Sequence, residues 1–211
     1  MNRIIEDRTS IKGDKTILFL TNNENAMNLY YWLEEVEKTV LLFQNKLDMN
    51  YVRTINPDFI ISYSYSYIIT EEIIELMCGK IINLHISLLP WNKGSNPNYW
   101  SFIDNTPKGV TIHLIDKGLD TGKVLAQKEV YFDEENESFR SSYDMLHNTI
   151  QQLFIDNWEN IKNNSIIPVE QKGLGSVHNM SEFRELTERF PVDWNDIIAR
   201  YKQRMLKEVK R

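Results

Sequence analysis

Short apolar runs alternate with polar stretches of helical periodicity along the first two thirds of the chain. Thr16–Leu20, Val40–Phe43, Phe59–Tyr63 and Lys80–Ile86 are rich in Ile, Leu, Val and Phe, and polar or turn residues bound them. Runs of this length with β-branched content predict buried strands. Between them, Ala26, Leu29, Tyr30 and Leu33 recur at helical spacing, with Asn23 or Asn25 as the cap. A helical segment over Met49–Ile55 closes at Asn56-Pro57, and another begins near Thr70 with Glu71 and Glu72 in the first turn, where the helix dipole favours them. Downstream, Asn98–Ile103 predicts a short helix. Val110–Leu114 and Val124–Val130 predict strands around the turn-rich Asp116–Gly122. A helix over Ser138–Asn163 carries an apolar stripe of Tyr143, Leu146, Ile150, Leu153, Phe154 and Trp158.

Beyond Ser165 the pattern is irregular. Gly173 and Gly175 mark loop, helices are expected to open at Ser181 and at Val192, and Arg200–Arg211 reads as a solvated basic helix. Strands alternating with helices, then a hairpin, predict an α/β chain: a Rossmann-like, mostly parallel sheet flanked by helices, with an antiparallel hairpin and a short C-terminal helical extension. Residues 1–165 are expected to form the principal domain and 166–211 the extension, with 1–14 a polar arm or an added edge strand.

The chain is organised around Lys80–Gly94, K-I-I-N-L-H-I-S-L-L-P-W-N-K-G. Side chains alternate along a strand, so Asn83 and His85 share a face. Pro90 and Gly94 end the strand, which places this pair near its carboxyl end, where open α/β sheets bind ligands. A lone histidine near a strand is more often a satisfied core residue. Lys108–Val130 shifts the balance, because its connector carries Asp120 between Gly118 and Gly122.

The two stretches together resemble the folate-dependent formyltransferase family. The resemblance rests on Asn83, His85, Ser87-Leu88-Leu89-Pro90 and Gly94, then on Gly109-Val110-Thr111, His113 and Asp120-Thr121-Gly122. It implies 10-formyltetrahydrofolate as cosubstrate and Asn83, His85 and Asp120 as a catalytic trio. It further implies a pocket for the folate ring along Ser62–Thr70, with Tyr65, Tyr67, Ile68 and Ile69 as candidates. Ser87, Leu88, Leu89, Asp116 and Leu119 are expected beside the folate. Formyl transfer needs an oxyanion donor, a base for the attacking amine and a proton for the leaving nitrogen. Asn83 and His85 can supply donors. Asp120 can orient the imidazole, and its charge is expected to raise the His85 pKa above the ordinary ~6.5. The residue types leave the division of these roles open.

Composition narrows the acceptor. A net charge of −6 argues against nucleic-acid binding, which rests on clustered Lys and Arg. No apolar run reaches the ~20 residues of a membrane span, the N-terminus has no apolar signal core, and the single cysteine, Cys78, permits no internal disulfide. A cytoplasmic enzyme is expected. The spacing of His85, His113, His147 and His178 matches no metal-ligand pattern, and no G-x-S-x-G elbow accompanies Ser87. Within the family resemblance, a short tail on an acidic protein disfavours a transfer-RNA substrate. Thr21-Asn22-Asn23-Glu24-Asn25 lacks the glycine-rich phosphate loop of the purine enzymes. A UDP- or dTDP-linked 4-amino-4,6-dideoxy sugar is the expected acceptor, and the N-P-N-Y-W segment resembles formyltransferases of the pseudaminic-acid type. Candidate contacts are Asn22, Asn23, Trp91, Lys93, Asn96, Tyr99 and Trp100: flat rings for a base and pyranose, and a cation for the diphosphate. The alternatives are a glycinamide ribonucleotide or other amine acceptor, water as acceptor in a formyltetrahydrofolate hydrolase, and a non-catalytic binding relative. The family resemblance also implies a homodimer.

Overall fold

A computed structural model describes residues 12–209. The strands β1 (Thr16–Leu20), β2 (Thr39–Phe43), β3 (Phe59–Tyr63), β4 (Ile81–His85), β6 (Gly109–Leu114) and β7 (Val124–Glu129) form one sheet in the order β2-β1-β3-β4-β6-β7. A two-residue strand, β5 (Lys93–Gly94), pairs in parallel with another, β8 (Val177–His178). The first four strands of the large sheet are parallel, and β6 and β7 run antiparallel to their neighbours. Helices α1 (Met27–Val36), α2 (Met49–Ile55), α3 (Glu71–Met77), α4 (Pro97–Ile103), α5 (Phe139–Lys162), α6 (Met180–Arg189) and α7 (Ile198–Val209) complete the fold. The expected arm or edge strand over 1–14 falls largely outside the described residues.

Alternation along the parallel strands divides the core. Ile17, Phe19, Ile61, Tyr63, Ile82 and Leu84 pack with Leu29 and Leu33 of α1 and with Leu146, Ile150, Phe154 and Trp158 of α5. Leu18, Leu20, Ile60 and Ile81 face the other way, onto Val52 of α2 and Ile73 and Met77 of α3. Both faces are therefore apolar, which explains why these strands read as continuous hydrophobic runs. A third cluster of Tyr99, Trp100, Phe102, Phe139, Phe190, Ile198 and Tyr201 joins α4 and α5 to the C-terminal segment. Asn23 accepts from the Asn25 backbone N–H and caps a 3-10 turn over Glu24–Ala26, ahead of α1. Ser138 and Ser141 form a capping box that starts α5.

The helix expected to open at Val192 begins instead at Ile198. Asp193 Oδ1 accepts from the Asn195 backbone and the Asp193 carbonyl from the Asp196 backbone, so short polar side chains hold a turn after Pro191.

A polar group lies within the α5 face of the core. His147, 2% exposed, shares a hydrogen bond with the Tyr63 hydroxyl, and its Nε2 has no partner. Burial pushes His147 down to about 4. The unfolded chain takes up a proton on this imidazole below pH ~6.5, whereas the folded chain resists until about 4, so stability falls with pH across that window. The expected loss is at most a few kcal/mol, since each tenfold difference in proton affinity between the two states is worth about 1.4 kcal/mol. Urea midpoints at pH 7 and pH 5 should diverge in the wild type and converge in His147→Phe. An unchanged pH slope in the variant would remove His147 as its source.

Candidate active site

β4 lies between parallel β3 and antiparallel β6, so its carboxyl end is a point where strand direction changes. Asn83 pairs with His113 across this junction and His85 with Thr111. The Thr111 hydroxyl donates to the Ser87 carbonyl at 2.7 Å and accepts from the Leu89 N–H at 3.1 Å, fixing the loop that leaves β4. That loop turns through Pro90 and through Asn92, whose φ of 55° is left-handed. It brings the Asn92 carbonyl to 3.1 Å from His85 Nε2. A carbonyl only accepts, so Nε2 carries the proton and Nδ1 of neutral His85 presents its lone pair.

Asp120 closes the site from the β6–β7 connector, with a left-handed φ of 51°. Its Oδ2 accepts from the Gly94 N–H at 2.8 Å and stands 3.6 Å from His85 Nδ1. Its Oδ1 accepts from the Asn83 amide at 3.3 Å and lies 3.5 Å from His113 Nε2. His113 Nδ1 donates to the Leu114 carbonyl at 2.8 Å, which leaves Nε2 to accept the other Asn83 N–H at 3.1 Å. Both amide hydrogens of Asn83 are thus engaged. The reverse orientation would set its oxygen against a carboxylate.

Two glycines are required by close approach. A Cβ on Gly122 would lie 1.8 Å from the Leu114 carbonyl oxygen, and one on Gly94, at φ 87°, would lie 2.3 Å from the His178 carbonyl oxygen.

Burial lowers the His85 pKa below its ordinary value, and the opposing charge of Asp120 does not reverse this. The expectation of a raised value is therefore corrected: desolvation of an imidazole that is 7% exposed outweighs one carboxylate at 3.6 Å. Burial works against the ionised form of Asp120 too. The positive charge of His85 when protonated and the Gly94 N–H more than offset it, holding the carboxyl well below the usual carboxylate range. The resting pair is neutral His85 beside ionised Asp120, an arrangement suited to accepting a proton. If His85 acts as the base, the acid limb of a kcat/KM–pH profile lies below the ~6.5 of free imidazole. A limb at or above that value would contradict the assignment.

The remaining predicted residues separate by exposure. Tyr67 and Ile68 are 42% and 86% exposed at the rim, whereas Ile69 is buried on the α3 side of the sheet. The Tyr65 hydroxyl donates to the Asn45 carbonyl and accepts from the Leu47 N–H, tying the β3 loop to the β2 loop. Ser87 is buried and donates to the Trp91 carbonyl; Leu89 is buried and Leu88 half-buried. Asp116 holds its own loop through the Gly118 N–H and the Thr121 hydroxyl, and Leu119 is exposed beside Gly94. Asn22 donates to the Gln44 carbonyl and accepts from the Ser66 N–H, and Asn23 donates to the Tyr143 hydroxyl, so both side chains brace neighbouring loops.

Trp91 is 36% exposed, and Lys93 and Asn96 are half-buried. Tyr99 is fully buried and bonded to the Tyr201 hydroxyl, and one face of Trp100 is covered by the His178 ring, stacked at 4.1 Å. These two rings have no free face of the kind expected for a nucleobase, because the C-terminal segment has taken those faces into the third core cluster. Among the described residues no group of three or more His, Cys, Asp or Glu is placed to hold a metal ion, and no helix is long and apolar enough to cross a membrane.

The sequence profile of the formyl transferase family matches residues 21–157. The chain belongs to this family. Asn83, His85 and Asp120 all lie inside the matched segment. Among solved formyltransferase structures, PseJ of Anoxybacillus kamchatkensis, in complex with UDP-4,6-dideoxy-4-formamido-L-AltNAc and tetrahydrofolate, is 41% identical. That likeness has a TM-score of 0.81 and covers 88% of this chain and 97% of the other. A 4-N formyltransferase from Francisella tularensis, 19% identical with a TM-score of 0.73 over 90% of this chain and 85% of its own, shares the fold. By sequence, methionyl-tRNA formyltransferase of Thermodesulfovibrio yellowstonii is 35% identical over 77% of this chain and 56% of its own length. The chain spans about half the length of that relative and less of the next ones. Within this formyl transferase, sequence reasoning did not assign roles to Asn92, Gly94 or His113 in the site. His113 stood in the motif already, and its place opposite Asn83 follows from pairing β4 with β6.

Proposed function

We propose that this formyl transferase moves the formyl group of 10-formyltetrahydrofolate to the amine of a nucleotide-linked 4-amino-4,6-dideoxy sugar, most simply a UDP sugar of the pseudaminic-acid type. The observation that carries the reading is the likeness to PseJ: 41% identity extending over 97% of a chain whose structure holds a UDP-linked formamido sugar and tetrahydrofolate. The methionyl-tRNA enzymes are matched over a smaller share of their length. The catalytic residues, the contacts and the two-part division at residue 165 belong to the same proposal.

His85 Nδ1 takes the proton of the attacking amine as its nitrogen bonds to the formyl carbon. The imidazolium so formed is stabilised by Asp120 Oδ2, 3.6 Å away, and returns the proton to the departing folate nitrogen. The Asn83 amide, which holds Asp120 at a long 3.3 Å, transfers that N–H to the oxyanion of the tetrahedral intermediate. The exposed Tyr67 and Ile68 offer apolar surface to the folate ring, and Trp91 with Lys93 offers a ring and a cation to the nucleotide diphosphate. The enzyme is expected to work in the cytoplasm as a homodimer without a metal.

The test is direct. Purified protein with 10-formyltetrahydrofolate is offered UDP- and dTDP-linked 4-amino-4,6-dideoxy sugars, glycinamide ribonucleotide, methionyl-tRNA, or no amine, and product mass is read. Formylation of a sugar nucleotide supports the reading. Transfer confined to methionyl-tRNA or to glycinamide ribonucleotide, or folate hydrolysis without an amine, overturns it.

A further inference from the structure

The segment after α5 does not leave the catalytic core as a free tail. Val169 exchanges both backbone hydrogen bonds with Val124 at the start of β7, at 2.8 and 2.9 Å. Two residues on, Gln171 Nε2 donates to the Asp120 carbonyl at 2.8 Å and to the Gly122 carbonyl at 2.9 Å. Farther along, Gly175 approaches so closely that a Cβ there would lie 1.9 Å from the Pro90 carbonyl oxygen. The Ser176 hydroxyl accepts the Asn92 N–H at 2.8 Å, and the Ser176 carbonyl accepts the Lys93 N–H at 3.0 Å. Val177-His178 then pairs with Lys93-Gly94. Residues 169–178 therefore cross both the loop that leaves β4 and the connector that carries Asp120.

The Gln171 side chain has an unusual balance. Both hydrogens of its amide are spent on carbonyls two residues apart in the Asp120 connector, while its own Oε1 is buried without a partner. An orphaned buried acceptor costs stability, so the local structure forgoes a hydrogen bond to keep this one group in place. What it holds is the connector backbone on both sides of Thr121, including Asp120, whose φ of 51° is left-handed. Those two bonds tether the connector that sets Asp120 Oδ2 2.8 Å from the Gly94 N and 3.6 Å from His85 Nδ1.

We propose that Gln171 is a positioning residue for Asp120, and that the segment 169–178 is a strap that completes the reaction centre. The inference rests on the reading of Asp120 and His85 as the reacting pair. Gln171 touches neither substrate nor the reacting atoms; it acts through the Asp120 backbone.

The test is Gln171→Met, which keeps length and volume and deletes both donors. The expected result is a kcat about tenfold or more lower, KM for both substrates little changed, and an acid limb displaced to lower pH, because a retreating carboxylate no longer supports the charged imidazole. An NMR titration of the His85 imidazole in the unliganded protein should show the same downward movement of its midpoint. Leu174→Ala, in the same strap at a residue that is 97% exposed, should leave all of these unchanged.

Should Gln171→Met fold poorly, Gln171→Asn, which retains the amide one methylene back, is read the same way. A kcat that falls only with the folded fraction, or an unmoved His85 midpoint in a folded variant, overturns the proposal. Failure of the broader reading looks different: the wild type then transfers to no sugar amine, while the His85 titration still responds to Gln171.

Discussion

His85→Ala is expected to lower kcat by ~10²–10⁴-fold, the range lost when a positioned acid–base group is removed. His85 is the group here whose lone pair is both free and backed by a carboxylate: Nε2 is committed to the Asn92 carbonyl, and Nδ1 stands 3.6 Å from Asp120. Alanine leaves only Asp120 within reach, and a carboxyl held well below the usual carboxylate range is a poor carrier of the amine proton. The fold should survive. The β4 ladder is backbone, the apolar neighbours Ile82 and Leu84 face the opposite side of the sheet, and water can take over the Asn92 carbonyl. Circular dichroism and a thermal melt close to wild type, together with single-turnover formyl transfer, form the check. A variant retaining turnover within a few-fold of wild type would remove His85 from the mechanism.

The second large effect is expected for Asp120→Asn, about 10²–10³-fold in kcat, comparable with losing one preorganised electrostatic group. The substitution is nearly isosteric, so its cost comes from charge and from hydrogen-bond direction. The Gly94 N–H still requires an acceptor, which fixes the new amide oxygen in the Oδ2 place. The new NH2 then points at the Asn83 amide, which itself presents an N–H. Donor meets donor, and Asn83 must rotate, withdrawing the group proposed to meet the oxyanion. In addition, the imidazolium formed during transfer loses its counter-charge, so the acid limb should move to lower pH as well as the rate falling. The measurement is a full kcat and kcat/KM pH profile. Loss of rate without movement of the limb would mean that Asp120 acts on Asn83 alone.

Much of the fold was legible because the parallel strands are buried on both faces. Thr16–Leu20, Phe59–Tyr63 and Lys80–Ile86 could hardly be anything but core strands, and each lies within a residue of its expected bounds. The long helix was equally plain, since its stripe of Leu146, Ile150, Phe154 and Trp158 is the stripe that packs. The pairing of Asn83 with His85 followed from period-two alternation.

What sequence could not give was partnership across distance. Tyr99 and Trp100 carry no local mark that separates a stacking platform from a core ring, and only the docking of Tyr201 and His178 decides it. The direction of the His85 pKa shift escapes the sequence for a related reason. A carboxylate can be foreseen from a motif, whereas the depth of burial that outweighs it comes from the packed whole. Val192 misleads because the Asp193 and Asp196 side chains accept from backbone N–H groups of a turn rather than letting a helix start there.

The hydrogen bond from Gln171 to the Asp120 carbonyl joins residues 51 positions apart. Chains are built from the N-terminus at ~5–20 residues per second. Asp120 therefore leaves the ribosome several seconds before the residue that fastens its backbone. If the strap completes the site as proposed, a nascent chain that already holds its parallel sheet is not yet armed to transfer a formyl group, and competence arrives only once the strap has followed the sheet out of the exit tunnel.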